Sequence, residues 1–267
     1  MSLIPQKVQS IFTSSSSHPL HSLSNQSIAI LSFGSIVFIN VALAAYRDYK
    51  IYLSYGPGGL PYNLRGWFIS SCILRPWGTE VFSTGLYDRN PDKRKWLSSD
   101  WPPYERGQRP RLGPHPLPQR QLDQLTDEGC KELLKSEFNK LVAANPSIIQ
   151  FRPSLHEGHT RSIFLADDVP GAPVAKEMLR EVSHIHATGD YSVHVVLAPQ
   201  DCKKVIESGW GQRHPLDGVK FAKYVFGWTI PKEYVLLYAP RTEEEVRILM
   251  QVVRASVGYM ADTKDVK

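Results

Sequence analysis

Four of the nine histidines in this 267-residue chain fall between residues 184 and 214. His184 and His186 stand in Ser-His-Ile-His, His194 in a β-rich run, and His214 at the end of Gly-Trp-Gly-Gln-Arg-His. In an extended segment, residues two apart share a face, so His184 and His186 point the same way; a hairpin return along 191–198 brings His194 beside them. Three chemistries fit that cluster. A H-x-H pair with further imidazoles suits a divalent transition metal, although Asp190 and Asp201 are the only nearby carboxylates. Metal-free acid–base work suits imidazole, whose unperturbed pKa is ~6.5. Histidines also serve simply to satisfy buried backbone groups. The neighbours add to the chemistry. Gln212 and Arg213 are donors for an anion developing on oxygen, and Trp210 is a flat wall for an aromatic ligand. The turn Tyr238-Ala239-Pro240-Arg241 would place Arg241 at the same mouth, and His159 lies just before a strand at 162–165. Nucleophilic alternatives are weak: Cys72, Cys130 and Cys202 form no CxxC pair, and no Gly-x-Ser-x-Gly elbow occurs.

The elements that must position these residues are legible beyond residue 120. Leu133, Leu134, Phe138, Leu141 and Val142 have helical spacing, ended by Asn145-Pro146. Pro173 opens a helix with Ala175, Met178, Leu179 and Val182 inward and Lys176, Glu177, Arg180 and Glu181 outward. Tyr191–Ala198 alternates, with Tyr191, Val193, Val195 and Leu197 on one face and Ser192, His194 and Val196 on the other. Gln200–Ser208 reads as a short helix stopped by Gly209, and Tyr234–Ala239 as a strand. Thr242-Glu243-Glu244-Glu245 is a capping box that starts a final amphipathic helix. No Gly-rich phosphate loop follows a strand, which disfavours a nucleotide-binding α/β fold. The expected class is α+β: a single catalytic domain with a mixed or antiparallel sheet packed by helices, preceded by an N-terminal transmembrane helix.

That helix is Ile28–Tyr46, 19 residues without a charge; at about 1.5 Å per residue it is roughly 28 Å long, close to the hydrocarbon thickness of a bilayer. Ala42-Leu43-Ala44 resembles a signal-peptide cleavage site, but the apolar run is longer than the usual h-region and its nearest upstream basic side chain is Lys7. Arg47, Lys50 and Arg65 follow it, placing the C-terminal bulk in the cytosol by the positive-inside rule. The chain divides into an N-terminal tail (1–26), an anchor (27–46), a basic aromatic collar with a Pro-rich connection (47–120) and an α+β core (121–267). The collar has 12 Lys/Arg against 6 Asp/Glu, and the core 18 against 20. A basic block beside an apolar segment suits an anionic lipid surface. A slightly acidic core speaks against nucleic acid as a partner.

Segments through most of the chain resemble the luciferases of basidiomycete fungi, which oxidise 3-hydroxyhispidin. They include Arg47-Asp48-Tyr49, Gly56-Pro57, Arg65-Gly66, Tyr87-Asp88-Arg89, Trp96-Leu97, Gln119-Arg120-Gln121, and His159 before Ile163-Phe164-Leu165. The most specific lie near the C-terminus: Glu181, His184, His186, His194, Gly209-Trp210-Gly211-Gln212-Arg213-His214-Pro215-Leu216, Tyr238-Ala239-Pro240-Arg241 and Ala255-Ser256-Val257-Gly258-Tyr259-Met260. Val219–Trp228 lacks the proline-rich insert of luminous members. The resemblance implies a luciferase of the endoplasmic reticulum or microsomal membrane, using only a pyrone and O2, with no metal or other cofactor. The pyrone becomes a peroxide, loses CO2 and leaves an excited product that emits green light. A base from His184, His186, His194 and His214 would take the 3-hydroxyl proton, and Arg213 and Gln212 would steady the oxyanion. Trp210, His159, Tyr238, Arg241 and Glu181 would line the substrate site.

Overall fold

The computed structural model describes residues 24–220, 223, 227 and 229–267. Most of the N-terminal tail and most of Val219–Trp228 therefore lie outside the described residues. The chain divides into two compact units, Met1–Arg47 and Asp48–Lys267. In the first, α1 (Asn25–Ser54) begins. None of its most apolar window is buried, and Phe33, Phe38 and Ile30 are each at least 70% exposed. It is the one described helix long and apolar enough to cross a membrane.

The second unit is built on six antiparallel strands in the order β1-β2-β3-β4-β6-β5. They are β1 (Ile149–Pro153), β2 (Arg161–Leu165), β3 (Glu181–Ile185), β4 (Val193–Val196), β5 (Gly211–Arg213) and β6 (Tyr234–Leu237). The short helices α2 (Leu64–Phe68) and α3 (Gly85–Asp88) precede the sheet, with α4 (Glu128–Ala144) leading into it. Then come α5 (Pro173–Glu177), α6 (Pro199–Glu207) and α7 (Glu243–Ala261). One sheet face is apolar: Ile163, Val193, Val195, Val235 and Leu237 are buried with Leu134 and Phe138 of α4 and Val246, Leu249 and Val253 of α7. Since side chains alternate across a strand, the opposite face is free to carry polar groups. Asp127 caps α4 by accepting from the Cys130 N–H at 2.7 Å, and Thr242 caps α7 by accepting from the Glu245 N–H at 3.2 Å. The capping box closes on one side only, because the Glu245 carboxylate accepts from the N–H of Arg241 rather than of Thr242.

The antiparallel sheet and the strand at 191–198 agree with the sequence pattern; the segment after Pro173 does not. Helix α5 stops at Glu177, and Leu179 and Arg180 adopt left-handed backbone (φ +52° and +69°). This ejects Leu179 into solvent and starts β3 at Glu181, so Val182 lies on a strand and Glu181 is buried rather than outward. Pairing with β2 and β4 on both sides overrides the helical stripe. The glycine-punctuated run at 211–213 is an edge strand.

The collar residues from Asp48 onward belong to the same compact unit as the core. Asp48 gathers them: its carboxylate accepts from the Trp67 indole N–H at 2.8 Å and the Ser71 hydroxyl at 2.9 Å and lies 3.0 Å from Nε2 of His115. The Pro-rich connection that follows is laid over the polar face of the sheet, where Leu117, Gln119 and Arg120 face the histidines.

Candidate active site

Register alone assembles the centre of the site. Ser162 pairs with His184, His184 with His194, His194 with Leu236, and Leu236 with Gln212, forming one row across five strands. His186 follows two residues beyond His184 on the same face. Ring centroids lie 5.2 Å apart for His184–His186, 5.4 Å for His184–His194 and 4.9 Å for His186–His194. Tyr234, at the start of β6, stacks flat on His194 at 4.3 Å, and the His214 ring lies 5.8 Å from His194. All four histidines are buried.

Each imidazole is held differently. The register shift between β2 and β3 brings Glu181, three residues before His184, to the same polar cluster. Its Oε1 lies 2.8 Å from His184 Nδ1 and accepts from the hydroxyls of Ser154 and Ser162 at 2.7 and 2.5 Å. Oε2 accepts from the Leu155 N–H at 2.8 Å. Burial alone would raise this carboxyl, but the bonds and charge of His184 and the other donors outweigh it, and its pKa falls to about 2. Nδ1 of His186 lies 2.8 Å from the Ser192 hydroxyl, which donates at 2.8 Å to Asp190. His214 Nδ1 accepts from the Leu216 N–H at 3.1 Å, and a second backbone hydrogen bond links its ring to Pro116. Nδ1 of His194 is buried with no hydrogen-bond partner among the described residues. Burial holds His186 and His194 well below the usual histidine range and brings His214 to about 3, so all three are neutral at physiological pH.

Four participants are not singled out by the histidine pattern. His156 packs 6.4 Å from His184, ring to ring, and burial lowers its pKa to about 4. Arg120 forms a buried ion pair with Glu157, whose Oε2 lies 4.0 Å from Nε2 of His186. Tyr234 completes the wall. Arg120 did carry a signal, as the centre of Gln119-Arg120-Gln121; His156 and Glu157 lie in a loop that sequence spacing could not bring to the sheet. Gly58 lets that loop close: a Cβ there would lie 3.1 Å from Glu157 Oε2 and press on Arg120.

Other expected residues go elsewhere. His159 is exposed. The Arg213 guanidinium is bound by Asp217 at 3.0 Å, by Glu80 and by Ser83. The Trp210 indole N–H donates to the Tyr104 carbonyl at 3.2 Å, and its ring packs with Trp101, Tyr104 and Arg106. Arg106 also lies over Tyr238, whose hydroxyl donates to Gln212 at 3.1 Å. Arg241 is bound to Glu245 and to the Arg106 carbonyl. Trp210, Tyr238 and Arg241 thus surround Arg106, and the guanidinium beside the histidines is that of Arg120.

The histidines enclose a cavity of about 20 Å³, room for roughly one water or ion. A larger cleft of about 400 Å³ lies on the other side of Arg120, bordered by Tyr55, Tyr62, Leu122, Leu125 and Asp190. That volume is within the range of small-molecule sites, ~300–1,000 Å³.

Five imidazoles and a paired guanidinium lie buried on one face of an α+β sheet, the candidate active site of an enzyme. Residues 179–256, which include His184, His186, His194, His214 and Tyr234, match the Luciferase domain. The chain is 35% identical over 254 residues to a luciferase of Neonothopanus nambi, covering 91% of each chain. It is 37% identical over 226 residues to luciferases of Armillaria gallica and Armillaria mellea, covering 81% of each. The chain belongs to this fungal luciferase family. No solved structure matches it.

Proposed function

We propose that the chain oxidises 3-hydroxyhispidin, or a close 3-hydroxy-2-pyrone, with O2. The observation that carries this reading is the buried row of imidazoles in a member of the luciferase family. An imidazole takes the proton of the acidic 3-hydroxyl. The electron-rich ring carbon then forms a C–O bond to O2, and the outer peroxide oxygen adds to the neighbouring lactone carbonyl carbon and displaces the lactone oxygen, closing a four-membered cyclic peroxide. Breaking its O–O bond and a ring C–C bond releases CO2 and leaves the product in an excited state. The Arg120 guanidinium, at the boundary between chamber and cleft, replaces Arg213 and Gln212 as the group that steadies the oxyanion. The cleft beside Tyr55 and Tyr62 accepts the planar aromatic part. The helix from Asn25 holds the enzyme on the endoplasmic reticulum or microsomal membrane with the catalytic unit in the cytosol, near the lipid in which a poorly soluble phenolic pyrone collects.

The test is to add 3-hydroxyhispidin in air to the detergent-solubilised full-length chain while recording light, O2 uptake and CO2 release. One O2 consumed and one CO2 released per pyrone, with green emission, is the expected result. Equal turnover in the dark identifies a non-luminous oxygenase; a folded protein that consumes no O2 refutes the proposal.

A further inference from the structure

We propose that His184, His186 and His194 form a three-histidine site for a divalent first-row transition metal. One ring nitrogen from each lies within 4.8 Å of the other two, and all three side chains are buried. Metal–nitrogen bonds of ~2.0–2.1 Å set three ligand nitrogens about 3.4–3.6 Å apart, so the rings need to close by no more than about 1.4 Å. The cavity they share, about 20 Å³, has the size of an ion rather than of a substrate.

The partners of the three rings are those of metal ligands. His184 offers Nδ1 to a carboxylate, Glu181, and His186 offers Nδ1 to Ser192, which is itself held by Asp190. In both rings Nε2 is left for the centre, and such outer hydrogen bonds fix the tautomer and orientation of ligating histidines. His194 supplies the independent observation: its Nδ1 is buried with no hydrogen-bond partner among the described residues, a costly state for a polar atom that a metal bond at that nitrogen would relieve. His214 stands outside this set, and its Nδ1 already accepts from the Leu216 N–H. Charge agrees. Carboxyl groups of Glu157, Glu181 and Asp190 each lie within 4.0 Å of a ring nitrogen of the trio, an acidic surround that attracts a dication. A set of three imidazoles with no thiolate suits Fe²⁺, Zn²⁺, Cu²⁺ or Ni²⁺. The inference concerns these nitrogens themselves and stands whether or not a pyrone is the substrate; it runs against the cofactor-free reaction that the resemblance implies.

The experiment uses the full-length chain in detergent, untagged and prepared without chelator. Elemental analysis is expected to find about one transition metal per chain. Stripped protein should then bind one Co²⁺ with the visible d–d bands of an imidazole-ligated ion. His194→Gln and His186→Gln should each weaken Co²⁺ binding at least tenfold, with His214→Gln and the exposed His159→Gln unchanged and circular dichroism reporting the fold of each variant. Absence of both bound metal and Co²⁺ bands in folded protein overturns the site, as does loss of binding in His214→Gln but not in His194→Gln. The outcome separates from that of the oxygenase test: a loaded protein inert to 3-hydroxyhispidin keeps the site and loses the oxygenase, and a luminous metal-free protein does the reverse.

Discussion

Arg120 and Glu157 form an ion pair with both side chains at most 3% exposed, so each is the other's main compensation for leaving water. Arg120→Met strands the carboxylate, and unfolding in detergent should show a loss of about 3–5 kcal/mol. Replacing both, as Arg120→Met with Glu157→Leu, should recover most of that loss, because the stranded charge goes with its partner. At the surface the opposite holds: His159 is exposed, and His159→Ala should change stability by no more than about 0.5 kcal/mol and leave turnover unaltered. Asp217 provides a pH signature. Burial pushes its pKa up to about 6, against the pull of Arg213 and Lys232 and with Glu80 adding to the rise. The folded chain therefore binds this proton at pH values where the unfolded chain, near 3.8, has released it. Its contribution to stability is complete below pH ~4 and is lost as pH rises to ~6, by about 2–3 kcal/mol. Thermal unfolding across that range should show the fall, and Asp217→Asn should flatten it.

At the scale of elements, α7 is the clearest case of sequence specifying structure: its cap, acidic first turn and inward stripe are all present in the fold. Thr242→Ala removes the acceptor for the Glu245 N–H and should cost about 1 kcal/mol, a fall in melting temperature of roughly 2–4 °C for a unit of this size. Strand β4 was equally legible, because period-two alternation with one apolar face admits one register. That alternation also foretold the meeting of His184, His186 and His194. What escaped was set by distant partners. The stripe Ala175-Met178-Leu179-Val182 is a good helical pattern, yet two left-handed residues turn its last member into a strand, and the apparently outward Glu181 becomes the buried anchor of His184. β5 is three residues long and begins with glycine, too short for periodicity to register. Arg120 and His156 reach the chamber from loops about 60 and 30 residues before the histidines, a closure no local spacing encodes. Arg213 stands beside His214 in sequence, but neighbours in extended backbone point to opposite faces, and Arg213 is turned to Asp217; Trp210 precedes the strand and packs on Trp101 and Tyr104 instead.

At the scale of the whole molecule, the apolar part of α1 stands apart from the catalytic unit in composition and in burial. A core helix hides one face and a surface helix shows a polar one; this helix exposes large apolar side chains on all sides. Of Ser32, Ser35 and Asn40 in its apolar run, two bond within the helix, Ser35 donating to the Leu31 carbonyl and Asn40 to the Ile36 carbonyl, each at 2.8 Å, as lipid requires of any polar group it surrounds. The compact unit begins at Asp48, whose carboxylate binds Trp67, Ser71 and His115, so the cut that separates anchoring from folding falls just before it. Deleting residues 1–47 should move the chain from the membrane pellet to the soluble fraction with its circular dichroism retained. A cut extended past Asp48 should lower the melting temperature as well, because it removes the acceptor that gathers the collar. If the shortened chain still pellets with membranes, attachment lies in the basic collar instead. Intact mass of the full-length protein gives the complementary check: a mature chain starting after Ala44 would make this helix a signal peptide, and retention of the whole segment makes it an anchor.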